Sequence, residues 1–477
     1  AKPTVAEGDR AMTDRRRLLL TRRQLLKYGG LTAIAAGAAS FGPRLVGTIV
    51  QPGRARAADQ PPNLKLVGTD GWISLPAAPS IFSSSLGVTT HPDPYAPAGF
   101  TTYIFGFANA SGLADDVQFN LKNKAQHSAP LFWAREEEDF RVQLTNVGLA
   151  QRPDLFDEHT VHWHGFKNVI PFFDGEPTGS ISIPQGQTFT YVYVSRDPGT
   201  YMFHCHVEDT EHVQMGMTGL VFVRPAQDGN VTLYPSGKYA YNDGDGSTGF
   251  DREYAMFLSE VWGDSHWADA HIQLPEWSDY RADFSLLNGR VYPDTLLPNG
   301  SVARQGDNPN PANRDFNVYP ARDAGWDLAY PPGRPDLAAQ PNSALVSCNA
   351  GERILLRFAN LGFMEAAMTL AGIRMRVVGR DATPMRGRDG TNTSYGTNTL
   401  SFGAGESFDV IFEAPALKAT RPSPDPGYDT YVLYNRAYTR GDNLVGDGGG
   451  QRTEVHVYPA GGLPAQAYPN QHPGDPA

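Results

Sequence analysis

The chain reads as an all-β protein built from two β-sandwich domains. Fifty Gly, 38 Pro, 21 Tyr and 24 Phe in 477 residues favour many turns between short, aromatic-rich strands. About 420 residues remain after the N-terminal segment, which suits two domains better than one. A degenerate internal repeat runs through both halves in the same order.

The repeat justifies the elements one by one. Residues 140–148, FRVQLTNVG, match 354–362, ILLRFANLG, each a strand pattern closing on Asn-x-Gly. Residues 186–191, GQTFTY, match 405–410, GESFDV. Residues 200–203, TYMF, match 430–433, TYVL. The sandwiches are expected at 65–225 and 251–460, with a linker at 226–250 and a tail at 461–477. The polar, Gly/Asp-rich stretch 241–249 marks the join.

Residues 1–57 stand apart as a signal segment. Thr21-Arg22-Arg23-Gln24-Leu25-Leu26-Lys27 is a twin-arginine pattern, followed by a weakly apolar stretch rich in Gly and Ala. Ala55-Arg56-Ala57 offers a small-x-small cleavage site. The apolar stretch is too short and Gly-rich for a membrane span. Export by the twin-arginine route is expected, to the periplasm or cell exterior, with no membrane insertion after cleavage. A net charge of −11 argues against nucleic acid or an anionic membrane as partner.

The chemistry concentrates in two motifs. His204-Cys205-His206 is followed by His212 and Met217; His159-Thr160-Val161-His162-Trp163-His164-Gly165 has the form HxxHxHG. Side chains alternate faces along a strand. Cys205 pointing inward sends His204 and His206 outward; likewise His162 and His164 share one face and His159 takes the other. Blue copper sites use two His, one Cys and a weak axial Met. His159, Cys205, His212 and Met217 supply that set, with Met215 the second choice for the axial position. His162, His164, His204 and His206 form an outer group suited to a second copper site. Histidines merely bonded within a β-core are the competing reading. Against it, six of the twelve His fall in two short motifs.

The second half repeats the frame without the ligands. Ala366, Thr369, Ala371 and Gly372 stand where the first has His159, His162, His164 and Gly165, and Tyr434-Asn435-Arg436 replaces His204-Cys205-His206. His266, His271 and His456 are expected to pack or lie on the surface, and His91 and His472 to sit in a loop and the tail. Cys205 is needed as a thiolate, so no disulfide to Cys348 is expected; Cys348 reads as a small buried residue.

These motifs resemble the multicopper oxidases, the family of laccases, metal-ion oxidases and ascorbate oxidase. The resemblance covers nearly the whole chain after the signal and is closest to bacterial forms with two cupredoxin domains. It implies two cupredoxin-like Greek-key sandwiches. It also implies type 1 copper in the first, and type 2 and type 3 copper at a shared outer site. Phe173-Asp174-Gly175 is similar to the family's Asp-Gly turn, which would make Asp174 a proton relay beside the outer coppers. Two departures stand out. His follows Cys by seven residues here, where the family has five, so two residues are inserted before His212. The family's trinuclear cluster takes eight His from four HxH pairs, and this chain offers two pairs. A homo-oligomer sharing the outer site is therefore expected.

The resemblance implies an oxidase that takes single electrons from a phenol, aromatic amine or metal ion near His212. It would pass them through Cys205 to the outer histidines and reduce dioxygen to water. Two alternatives are a copper nitrite reductase-like enzyme and a blue-copper electron-transfer protein without oxygen chemistry.

Overall fold

In a computed structural model, residues 62–300, 330–331, 333–420, 422–441 and 449–475 are described. The twin-arginine segment and its cleavage site lie outside them. The first half contributes β1 (Leu64–Ile73), β2 (Thr102–Asn109), β3 (Phe132–Arg135), β4 (Asp139–Asn146), β5 (His162–His164), β6 (Thr188–Val194), β7 (Gly199–His204) and β8 (Thr218–Arg224). One sheet has the order β2-β1-β4-β6, the other β3-β8-β7-β5. Leu64 and Val142 from the first sheet share a core with Phe132, Trp163, Phe203 and Val221 from the second.

The second half repeats this plan. It holds β9 (Arg252–Val261), β10 (Phe284–Leu287), β11 (Val346–Asn349), β12 (Arg353–Asn360), β13 (Ala366–Leu370), β14 (Met375–Arg380), β15 (Ser407–Glu413), β16 (Asp429–Asn435) and β17 (Arg452–Tyr458). Its sheets run β10-β9-β12-β15, extended by β14, and β11-β17-β16-β13, extended by residues Thr399–Phe402. The parallel pair β1/β4 recurs as β9/β12, and β3/β8 as β11/β17. Both Asn-x-Gly ends make the same local bond: Gly148 N–H donates to Asn146 Oδ1 at 2.9 Å, and Gly362 N–H to Asn360 Oδ1 at 3.0 Å. The fold is all-β with two cupredoxin-like sandwiches.

Sheet β3-β8-β7-β5 lies against the second sandwich. Trp133, Met202 and Phe222 form a common cluster with Ala255, Phe257 and Ala359. Beside it sits a buried ionic network. Arg357 Nε donates to Glu253 Oε2 at 3.1 Å, and its Nη1 lies 3.4 Å from Asp409 Oδ1. Asp409 also accepts from Thr200 of β7 and from Tyr241, both at 2.6 Å. Buried charges persist only when paired and hydrogen-bonded. This network holds β7, which ends at His204, against the second sandwich.

The expected linker is not a loose connection. Tyr241 and Phe250 are buried with Leu355, Val378 and Ile411 of the second sandwich. In the expected tail, Asn470 is buried; it accepts from Ala255 N at 2.7 Å and returns a bond to Ala255 O at 2.9 Å. The tail thus pairs with the backbone of β9. His91, read as a loop residue, ends a short strand and is buried, with Nε2 2.9 Å from Pro76 O. Its apolar surroundings, including Phe284 at 4.8 Å between ring centroids, were invisible in a Pro-rich local sequence. Both cysteines are free. Among the described residues no helix is long and apolar enough to cross a membrane.

Candidate metal centre

The inner donors converge as strand parity requires. His159, Cys205 and His212 bring their ligand atoms within 4.8 Å of one another, and all three are fully buried. His159 reaches the site from the segment before β5, where it bridges Ile183. Cys205 follows the last residue of β7. Its Sγ lies 3.2 Å from His212 Nδ1 and 3.4 Å from the Thr160 N–H.

The longer spacing from Cys205 to His212 accompanies a short helix, α1 (Asp209–Met215), which carries His212. The helix turns His212 back over the sulfur and closes at Gly216, whose φ is +118°. A Cβ at Gly216 would sit 2.6 Å from His127 Nδ1 and 2.8 Å from Phe105 O, so only glycine fits. Met217 follows at once and is fully buried. A Cβ on Gly68 would meet both His159 and the Met217 methyl, so Met217 borders the site beside His159. Met215 is also buried in the core of the first sandwich.

The electrostatics suit a metal ligand set. Burial alone pushes the Cys205 thiol up, but the neighbouring imidazoles of His212 and His159 outweigh it and hold it well below the ordinary thiol value. Burial pulls His212 down, yet Cys205 and Asp157 hold it up at about 10. Both ring nitrogens of His159, and Nε2 of His212, are buried without a hydrogen-bond partner. Buried polar atoms of native proteins are rarely left so. A soft thiolate with two imidazoles and a neighbouring thioether is the donor chemistry that copper takes, and these residues fit it.

His212 does not present an open edge to a donor, contrary to expectation. It is fully buried, and its Nε2 faces Asp157 Oδ2 at 3.5 Å. The insertion tucks the ring inward under Asp157. No pattern in the sequence around Asp157 marks it; only the fold brings it to the ring.

The outer histidines meet on the opposite side of the sheet. β5 and β7 are antiparallel with His162 opposite His204. Ligand nitrogens of His162, His164 and His204 lie within 4.8 Å of one another. The His206 ring packs against them, 4.8 Å from that of His162 and 5.5 Å from that of His204, but its nitrogens do not join the close group of ligand atoms. His204 is only 6% exposed, because sheet β3-β8-β7-β5 is covered by the second sandwich. Burial lowers all three of the converging rings, His204 to about 3. They are neutral at neutral pH and open to a cation.

Asp174 flanks this group. Its backbone carbonyl, not its carboxylate, takes the closer contact with His162 Nδ1, at 2.8 Å against 3.6 Å. Burial raises its carboxyl and His162 opposes the rise. The histidines of the second half are engaged elsewhere: His266 with Tyr103 O, His271 with Asp93, and His456 with Glu454. Cys348 is buried among apolar neighbours.

Residues 115–228, which include every donor named above, match the family model described as multicopper oxidase. That segment is similar to the multicopper oxidases. Laccase 1 of Metarhizium acridum is 31% identical over 101 residues, 21% of this chain and 15% of that protein. The multicopper oxidase MmcO of Mycobacterium tuberculosis is 25% identical over 298 residues, 60% of this chain and 46% of that protein. The chain thus spans less than half the length of these curated relatives. The blue copper oxidase of Nitrosomonas europaea superposes with a TM-score of 0.51 at 19% identity, covering 82% of this chain and 85% of its own. The multicopper oxidase mgLAC gives 0.51 at 20%, covering 85% and 87%. These superpositions establish the shared fold. The inner donors, two His and one Cys beside a Met, fit a blue copper ion. The outer donors, four histidines on one face, fall short of the eight that a trinuclear cluster takes.

Proposed function

We propose that this protein is a copper-dependent oxidase. It takes single electrons from a small reducing donor at the inner site and delivers them to dioxygen at the outer histidines. The observation that carries this reading is the adjacency of Cys205 and His204. One belongs to the inner group and the other to the outer group, and one peptide unit joins them. Copper cycling between its two oxidation states supplies the one-electron chemistry when bound.

The chain's own residues divide the work. His159, Cys205 and His212 would hold the inner ion, with the Met217 thioether beside them. Asp157 stands between His212 and solvent, so a donor docks over Asp157 rather than on the ring. A carboxylate there suits a phenol, an aromatic amine or a metal cation. His162, His164, His204 and His206 face the acceptor. Asp174, with its raised carboxyl beside His162, can hold a proton near that group at a higher pH than an ordinary aspartate. The second sandwich covers His204 and keeps bulk water from it. The twin-arginine pattern supports a periplasmic or extracellular setting.

Oxygen uptake tests the reading. Copper-loaded protein with a phenolic donor should consume dioxygen, and Cys205→Ser should abolish it. No uptake with phenols, aromatic amines or metal-ion donors would contradict it.

A further inference from the structure

We propose that the outer group is a three-imidazole site for a single metal ion, held by His162, His164 and His204 and completed by Gly405 of the same chain. This rests on reading that face as the acceptor site, and it departs from the three-copper cluster of the family.

The donor count sets the limit. Among the described residues this face offers four histidines, and only three of them converge. Ala366, Thr369, Ala371, Tyr434 and Arg436 occupy the matching places in the second sandwich and offer no imidazole. The missing half of a cluster is therefore not in this chain.

The three rings are already set for one ion. His162 Nδ1 bonds Asp174 O at 2.8 Å, and His204 Nδ1 bonds Cys205 O at 2.8 Å. Each carbonyl takes the ring proton and leaves Nε2 bare. His164 turns its Nε2 toward Gly405 of the second sandwich. Its Nδ1 points at His204 Nε2 across 3.4 Å. With His204 Nε2 bare, either a ring proton of His164 or a cation can lie between the two nitrogens. Metal-bound histidines characteristically give their other N–H to a carbonyl or carboxylate, which fixes the ring. His162 and His204 do so here. Three imidazole nitrogens suit copper or zinc.

Gly405 gives the second sandwich a role in the site. Its φ is +79°, and a Cβ there would sit 2.9 Å from His164 Nε2. The repeat equates Gly405 with Gly186, so this contact has no counterpart within the first sandwich. A side chain at 405 would push the ring out of the group. Facing copper domains in an oligomer could not share all four rings while Gly405 rests on His164.

The test is copper content and electron paramagnetic resonance on the full chain, loaded with copper and dialysed. The expected result is two copper per chain, both visible to resonance when oxidised. His164→Ala should leave one, and His206→Ala should leave two. Gly405→Ala should weaken the outer copper about 10- to 100-fold while the blue absorbance of the inner site reports an intact fold. A third copper, a resonance-silent pair, a single copper, or outer copper indifferent to His164 would overturn the proposal. None of these readouts depends on oxygen uptake. Uptake by a protein with three outer coppers would sink this inference alone, and two coppers without uptake would sink the oxidase reading alone.

Discussion

Cys205 Sγ stands 3.2 Å from His212 Nδ1, with no solvent reaching either group. In the metal-free protein this is a thiolate–imidazolium pair. Burial opposes both charges, but each partner's charge outweighs it, so the thiol is held low and the imidazole high. The pair therefore keeps its charges as pH falls below the ordinary thiol value of about 8.5. Metal-free protein should show thiolate absorbance at neutral pH. In His212→Ala the larger opposing charge is gone and only His159 is left to counter burial, so that absorbance should appear at a higher pH than in the unaltered protein. A pH titration of near-ultraviolet absorbance checks this.

Asp157 places a negative charge beside His212 Nε2. Removing it in Asp157→Asn should favour the reduced inner copper by on the order of 1–2 kcal/mol at an effective dielectric near 20. A redox titration of the blue absorbance should show a higher potential with unchanged copper content. Cationic donors should also show a raised KM in steady-state assays.

Gly216 ends the helix that carries His212. Gly216→Ala adds strain at positive φ and a collision with Phe105 O. The expected loss is about 2–3 kcal/mol of stability, read by denaturant unfolding, together with weaker inner copper binding.

Arg357 lies fully buried between Glu253 and Asp409. Arg357→Met leaves Asp409 without its cation, which should cost about 3–5 kcal/mol. Denaturant unfolding measures it. Because Asp409 also binds Thr200 of β7, outer copper affinity should fall with it.

Much of the site was legible in the sequence because strand parity is a strong constraint. Parity sends Cys205 inward and His204 outward without reference to tertiary structure, and the coordinates agree. The repeat was legible for the same reason: Asn146 and Asn360 close equivalent strands with equivalent bonds. What parity cannot supply is the identity of the covering surface. His204 read as outward, and it is, yet the second sandwich buries it. The insertion before His212 could be counted, but nothing in its composition showed that it would turn the ring under Asp157. Gly405 matched Gly186 in the repeat, while its contact with His164 depends on how the sandwiches dock. The tail could be placed only by its bounds, and the pairing of the Asn470 side-chain amide with the β9 backbone at Ala255 depends on the fold.

The central claim is that electrons pass from the inner copper through Cys205 to the outer histidines and on to dioxygen. The most direct measurement is rapid mixing of anaerobically reduced, copper-loaded protein with dioxygen, following the blue absorbance. The blue band should return as dioxygen is consumed, and in His204→Ala it should stay bleached while inner copper is retained. A band that returns at the same rate in His204→Ala, or that never returns in the unaltered protein, would contradict it.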